Sequence, residues 1–377
     1  MNGGPVYRNE VRRRRRRARG AFRAIASAAA ALLSAFAIIA PAATGRSAIA
    51  DLAKIYDGYP LIFMGEWHRN AQQHEFLRKL IADPAFLCRT DDIVIEFGNA
   101  RLQPVADRWS TGEPVSEAEL VSMFRETEVM FAWNAPMYRQ FYEAVREVNK
   151  KRLCPHPVRL VLGDPAFDWA KIETAEQFRA LPDRDRFFAD VVAREVLAKK
   201  HRALLISGAL HALRKYPQAT PEGSGFAEPS AAQLIEKEHP GSLFIVALVT
   251  TPAAAETMRM PPPPSFRLVR GSALEKLNFA IIAPAWSAKP VVVNGKHEWQ
   301  LEDSDAWAPM GEVVDGVLYL GGDETRVFPP PSIYLDPVYQ QQLRKRAAII
   351  KAWNGQDFGV ILDDLIKEAE AAQKTQH

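Results

Sequence analysis

Residues 61–80 read LIFMGEWHRNAQQHEFLRKL, and the reading of this stretch organises the rest of the chain. The apolar run 61–64 stops at Gly65 and is followed by Glu66, Trp67, His68 and Asn70. Beyond it His74, Phe76, Leu77, Leu80 and Ile81 recur at helical spacing. A buried strand, a tight turn and a helix form the unit from which open α/β sheets are built. In such sheets ligands bind outside the carboxyl ends of the strands, where this turn lies. Glu66 and His68 are therefore placed for chemistry if other strands deliver partners to the same edge.

Three further apolar runs do so. Residues 93–95 end in Glu96 and Gly98, residues 158–162 end in Gly163 and Asp164, and ALLISGALH (203–211) ends in Gly208 and His211. Strand runs alternating with helical patterns predict an α/β fold, a mostly parallel sheet with helices on both faces. Residues 101–129 interrupt the rhythm and contain a capping box opened by Ser116 and Glu119. They read as a helical cover over the sheet's carboxyl edge. A further helix starts at Asn134 and Pro136, and a long helical pattern over 174–200 is broken at Pro182. A helix after Ser230, an apolar run at 242–250, a proline connector at 261–264, a strand at 316–320 and a final helix within 337–353 are expected to complete the same sheet.

The first fifty residues differ in kind. Six consecutive arginines (12–17) precede an alanine-rich apolar run over 24–43, followed by Ala40-Pro41-Ala42 and Ala48-Ile49-Ala50 as small-residue cleavage sites. This is the pattern of a secretory signal peptide or, uncleaved, of an amino-terminal anchor in the inner membrane. Residues 1–50 are thus read as a targeting segment and 51–377 as one domain, exported to the periplasm or secreted, touching membrane only through that segment. The segment holds ten arginines and one acid; without it 38 basic face 44 acidic residues, a net charge of −6. A basic nucleic-acid-binding body is excluded on that balance.

Cys88 and Cys154 each precede a predicted strand, so both fall at the amino-terminal edge of the sheet. If those strands are neighbours, an oxidising compartment allows a disulfide; two buried free thiols are the other reading.

Two GxxH motifs at strand ends, Gly65-Glu66-Trp67-His68 and Gly208-Ala209-Leu210-His211, with Glu96 closing the strand between them, resemble the Tiki/TraB, ChaN-type haem-uptake and erythromycin-esterase superfamily. GEWHRNAQQHEF resembles the ChaN-type block in which a second histidine, here His74, follows on the helix. Arg184-Asp185-Arg186-Phe187-Phe188-Ala189 resembles the RD-x-x-MA segment of the esterase branch. The resemblance covers residues 61–214 and, faintly, 315–322. It implies an esterase, a metal-dependent peptidase or a haem-binding protein, with a small-molecule ester, a peptide or haem as partner. Two departures are visible: the esterase spacing has one more residue between the first Glu and its His, and Arg69 stands where the ChaN type has aspartate.

The residue types suit hydrolysis of an ester or amide. A carboxylate holding one imidazole nitrogen raises the basicity of the other, so His68 with Glu66 or Glu96 supplies a base and its orienter. His211 is a second acid or an oxyanion stabiliser. Arg184, Arg186, Asp164, His74 and Trp67 are candidate substrate contacts. The same His68, His211, Glu66 and Glu96 form the donor set of a Zn, Mn, Co or Fe site, or serve a haem iron in a carrier without turnover. His156, His201, His239, His297 and His377 are expected at the surface.

Overall fold

In a computed structural model the described residues are 47–216, 229–282, 307–322 and 326–374, with the backbone alone of 288–293 and 296–301. Most of the predicted targeting segment lies outside them. Among the described residues nine strands are formed: β1 Leu61–Glu66, β2 Asp92–Asn99, β3 Arg159–Asp164, β4 Ala203–Gly208, β5 Leu243–Val249, β6 Ser265–Leu268, β7 Ala288–Val293, β8 Lys296–Leu301 and β9 Gly316–Tyr319. Seven make one sheet in the order β3-β2-β4-β1-β5-β9-β6, and β7 and β8 pair with each other. Every pairing in the large sheet is parallel except that of β6 with β9.

The alternation along the strands explains the layers. Ile62, Met64, Ile93, Ile95, Leu204 and Ile206 face one core with the helices Ala71–Ala82 and Pro136–Lys151. Leu61, Phe63, Val94, Ala203 and Leu205 face the other, with Arg184–Glu195 and Ala231–Glu238. A parallel sheet covered on both faces needs such continuous apolar strands. The predicted breaks hold for physical reasons: Ser116 and Glu119 form a reciprocal capping box before the helix Glu117–Arg125. The pattern around Pro182 divides into the helices Ala175–Arg179 and Arg184–Glu195.

Three elements differ from expectation. The four-residue edge strand β6 follows the proline run and is too short to show a period. The β7–β8 pair stands outside the large sheet. A helix Phe358–Lys374 follows Gly355, whose φ of 80° ends the helix Pro337–Asn354 in the left-handed region that glycine favours. Among the described residues no helix is long and apolar enough to cross a membrane.

The amino-terminal helix Ala48–Ile55 begins inside the segment read as a leader, and Ala48 and Leu52 are buried in the core. The open question of the cysteines resolves as a disulfide, Cys88–Cys154, with Cα atoms 5.1 Å apart. The neighbours β2 and β3 bring the two together from 66 residues apart. Replacing both by serine is expected to lower the unfolding free energy by about 2–4 kcal/mol, because the unfolded chain regains the entropy of an open loop. An unchanged urea midpoint under reducing and oxidising conditions would contradict this.

Candidate active site

β1, β4 and β2 are adjacent, and their carboxyl ends carry the cluster. Glu66 of β1 is in register with Gly208 of β4, and Ile95 of β2 with Ile206. Glu66 and Glu96 are both buried. The turn after β1 is held by Gln73, which donates to the Gly65 carbonyl at 2.8 Å and accepts from the Trp67 N–H at 2.9 Å. Asn70 caps the following helix by accepting from the Gln73 N–H at 2.8 Å.

Glu66 is the anchor of the first half of the site. Its Oε1 accepts from the Tyr138 hydroxyl at 2.8 Å and faces His74 Nε2 at 2.9 Å, while Oε2 lies 3.6 Å from His68 Nδ1. Burial alone would raise the Glu66 pKa, but His74 and His68 outweigh it and hold the group well below the carboxylate range. Burial and the Glu66 charge push the Tyr138 phenol upward, so it stays a donor. His68 itself is exposed, its ring edge-on to Trp133 with centroids 4.8 Å apart. Burial would lower its pKa, yet the neighbouring Glu66 and the more distant Glu96 raise it on balance.

The second half is built around Arg184 and His211. Arg184 Nε donates to Asp164 at 2.8 Å and its terminal nitrogen to Glu96 at 2.6 Å. Glu96 Oε2 also accepts from the Gly208 N–H. Burial works against the charge on Glu96, but Arg184, His211 and His68 bring its pKa down to about 2. Asp164 is raised because its burial outweighs Arg184. His211 Nδ1 lies 2.8 Å from Asp185, and its Nε2 lies 3.5 Å from Glu96. Against the effect of burial, those two carboxylates raise its pKa.

Gly208 is where the halves meet. A Cβ there would lie 2.8 Å from His68 Nε2 and 3.2 Å from His211 Cδ2. Only a residue without a side chain lets both rings close on the same backbone atom. Gly208→Ala is therefore expected to displace both imidazoles and to cost more in activity than in stability; equal activity in a folded variant would show that the rings need not meet.

The sequence-based candidates separate clearly. Glu66, His68, Glu96 and His211 come together as expected, with Arg184 and Asp164 beside them. His74 is fully buried against Glu66, and Asp164 is buried against Arg184. Arg186, two residues beyond Arg184 on the same helix, points to the surface and pairs with Glu238 and Asp190. Trp67 is half-buried and borders a small apolar pocket with Gly65, Ala209 and Ala247. His201 is only partly exposed and is tied to Asp92 at 2.7 Å, far from the carboxyl edge.

Three contributors were not singled out from sequence: Asp185, Tyr138 as a donor to Glu66, and Glu128. The backbone N–H of Glu128 donates to Asp164 at 3.1 Å, while its own buried Oε2 has no hydrogen-bond partner. Burial pushes the Glu128 pKa up to about 7, with Arg184 opposing and Asp164 and Asp183 adding to it.

Glu66, His68, Glu96 and His211 are the expected donor set for a metal ion. Among the described residues no group of three or more His, Cys, Asp and Glu side chains is arranged to hold one. Part of the donor set is engaged internally, Glu66 Oε1 with Tyr138 and His74, Glu96 with Arg184 and Gly208, and His211 Nδ1 with Asp185, while the buried Oε2 of Glu66 has no hydrogen-bond partner. The cation between Glu96 and Asp164 is the Arg184 guanidinium. The cluster presents two imidazoles, each with a carboxylate at Nδ1.

No family model matches the chain, and no curated protein matches it. Among solved structures it is similar to an erythromycin esterase mutant in its open conformation, at 12% identity and a TM-score of 0.43 over 72% of this chain and 93% of that one. It is also similar to ChaN of Campylobacter jejuni, seen with cofacial haem binding, at 14% identity and a TM-score of 0.34 over 52% of this chain and 84% of that one. A structure described as bacterial protein toxins gives 17% identity and a TM-score of 0.34 over 55% of this chain. The match spans only 37% of that toxin chain. These neighbours include the two groups whose motifs the sequence resembles; at such distances the chemistry rests on the side chains themselves.

Proposed function

We propose that the protein is an exported hydrolase that cleaves an ester or amide bond with His68 and His211. The observation that carries this reading is an asymmetry between the two imidazoles. His211 lies between two carboxylates, Asp185 on Nδ1 and Glu96 near Nε2, which favour its protonated form against the effect of burial. His68 has a carboxylate only at Nδ1, leaving Nε2 to accept a proton. Both imidazoles are raised above the ordinary value, and the second carboxylate at His211 favours it as the acid and the free Nε2 of His68 favours that ring as the base.

In the proposed reaction water attacks the carbonyl carbon as His68 Nε2 takes its proton. The tetrahedral intermediate then expels the alcohol or amine as the C–O or C–N bond breaks, and His211 Nε2–H protonates the leaving atom. An acid and an alcohol or amine result; His68 returns its proton to solvent and His211 regains one. Glu66, held by Tyr138 and His74, orients His68. Arg184 keeps Glu96 ionised beside His211. The test is turnover of activated esters, lactones and peptides by the purified protein.

One observation favours a second reading, a haem carrier without turnover: His68 opens onto an apolar cavity of about 1030 Å³. Haemin that binds with a His68-dependent Soret shift, alongside no hydrolysis across the panel, would replace the first reading by the second.

Export is supported by the leader-like pattern of residues 1–50 and by the disulfide. Cleavage after Ala50 would cut the helix Ala48–Ile55, which starts with a buried alanine. Amino-terminal sequencing of the exported protein is therefore expected to find a start before Ser47; a start at Asp51 would mean that the helix is dispensable.

A further inference from the structure

The cavity beside His68 carries information about the substrate that the acid–base pair does not. Its walls are mostly apolar and include Phe131, Phe328, Tyr334, Ile361 and Leu365. Ile361, Leu365, Glu368 and Ala372 are spaced to share one face of the helix Phe358–Lys374, so that helix lies along the groove. Phe328 and Ile361 are 61% and 47% exposed although large and apolar, which leaves apolar surface open at the groove itself. A volume near 1030 Å³ exceeds what a short ester fills.

Arg69 adds a charge to this apolar groove. It follows His68 directly and lines the same cavity. Its φ of 68° is in the left-handed region, an uncommon conformation for a long side chain that costs about 1–2 kcal/mol. The surroundings enforce it: the Arg69 N–H donates to the Tyr138 hydroxyl oxygen at 3.1 Å, and its carbonyl accepts from the Val327 N–H at 3.0 Å. The guanidinium lies 4.7 Å from the centre of the Phe328 ring. Among the described residues no carboxylate is within ion-pair distance of it, and its buried Nε has no hydrogen-bond partner. Such a cation, carried on a fixed backbone beside the His68 imidazole and partnered among the described residues by a ring, is complementary to an anion.

Resting on the hydrolase reading, we propose that the substrate is a bulky amphiphilic ester or amide with a carboxylate near the scissile bond: the carboxylate pairs with Arg69, the carbonyl meets His68, and the apolar body occupies the groove. Glu368, the acid in the lining, disfavours a second negative charge along that body. The bond broken and the proton transfers are those already given; Arg69 binds and orients, and takes no proton.

The test separates binding from turnover. Binding of 2-dodecylsuccinate to the full-length protein is measured by calorimetry, beside its neutral dimethyl ester and succinate itself. The expected result is at least tenfold tighter binding of dodecylsuccinate than of either comparison ligand. In Arg69→Gln the ratio of anion to neutral ester falls towards one, whereas Arg69→Lys keeps a several-fold preference and shows that the charge rather than a fold defect is responsible. Ile361→Asp is expected to weaken dodecylsuccinate and leave the weak binding of succinate in place. Equal affinity for anion and neutral ester in the unaltered protein, or an undiminished preference in Arg69→Gln, overturns the proposal. So does haemin bound through His68 with no binding of dodecylsuccinate. Turnover is followed with the mono-4-nitrophenyl ester of dodecylsuccinate. Selective binding without turnover supports the ligand class and removes the hydrolase reading, whereas turnover of neutral esters with no anion preference does the reverse.

Discussion

Replacing His68 by alanine is expected to lower kcat by about 10²–10⁴-fold, the range over which a positioned general base contributes. The size follows from its place: among the cluster's imidazoles His68 is the exposed one, with a carboxylate behind Nδ1 and a free Nε2. Only its unprotonated form accepts a proton from water. Glu66, with Glu96 behind it, raises its pKa above the ordinary value against the pull of burial, so the proton leaves at higher pH than from a free histidine. The acid limb of the kcat profile is therefore expected above the ordinary imidazole value of about 6.5. Glu66→Gln removes the raising charge and should move that limb to lower pH while reducing kcat. A profile rising at or below the ordinary value, a limb unmoved in Glu66→Gln, or full activity in His68→Ala would each remove His68 as the base.

The positions that could be read from sequence are those whose information is local. An apolar run ending at glycine announces a strand end, and parallel strands put their ends on one edge, so Glu66, His68, Glu96 and His211 were legible as a group. The partners that decide their chemistry were not, because each comes from far along the chain. Tyr138 reaches Glu66 across 72 residues, and Arg184 reaches Glu96 across 88. The segment 184–189 was recognisable, but the direction of each side chain depends on how its helix docks. Arg184 and Asp185 turn inward there and Arg186 turns out. His74 stood out as a histidine on the first helix, yet nothing local distinguishes a residue over the site from one buried beneath its carboxylate. The groove was invisible because its wall includes the helix Phe358–Lys374, beyond the final helix that the sequence reading placed within 337–353.

Arg184→Met is expected to be the most destabilising single change in the cluster, by about 3–5 kcal/mol at neutral pH, since it leaves buried carboxylates without their cation. Glu96 and Asp164 both bond to this guanidinium. The pH dependence has a definite sign. In the unaltered protein the Glu96 pKa is down at about 2, so its contribution is complete above the ordinary carboxylate value and is lost as pH falls towards 2. Asp164, raised by burial even beside Arg184, already opposes folding where it must ionise. Without Arg184 both carboxyl groups bind protons more tightly in the folded than in the unfolded chain, and folding of the variant then weakens as pH rises. The stability difference between the two proteins should be largest near neutrality and shrink below about pH 4, where unfolded carboxylates also take up protons. Adding Glu96→Gln to Arg184→Met should recover part of the loss by removing one orphaned charge, although activity stays low because His211 then lacks the carboxylate near Nε2. Urea melts of the three proteins at several pH values decide the matter: a pH-independent difference would show that Arg184 acts by packing, and a double variant less stable than Arg184→Met would show that Glu96 is held by something other than that ion pair.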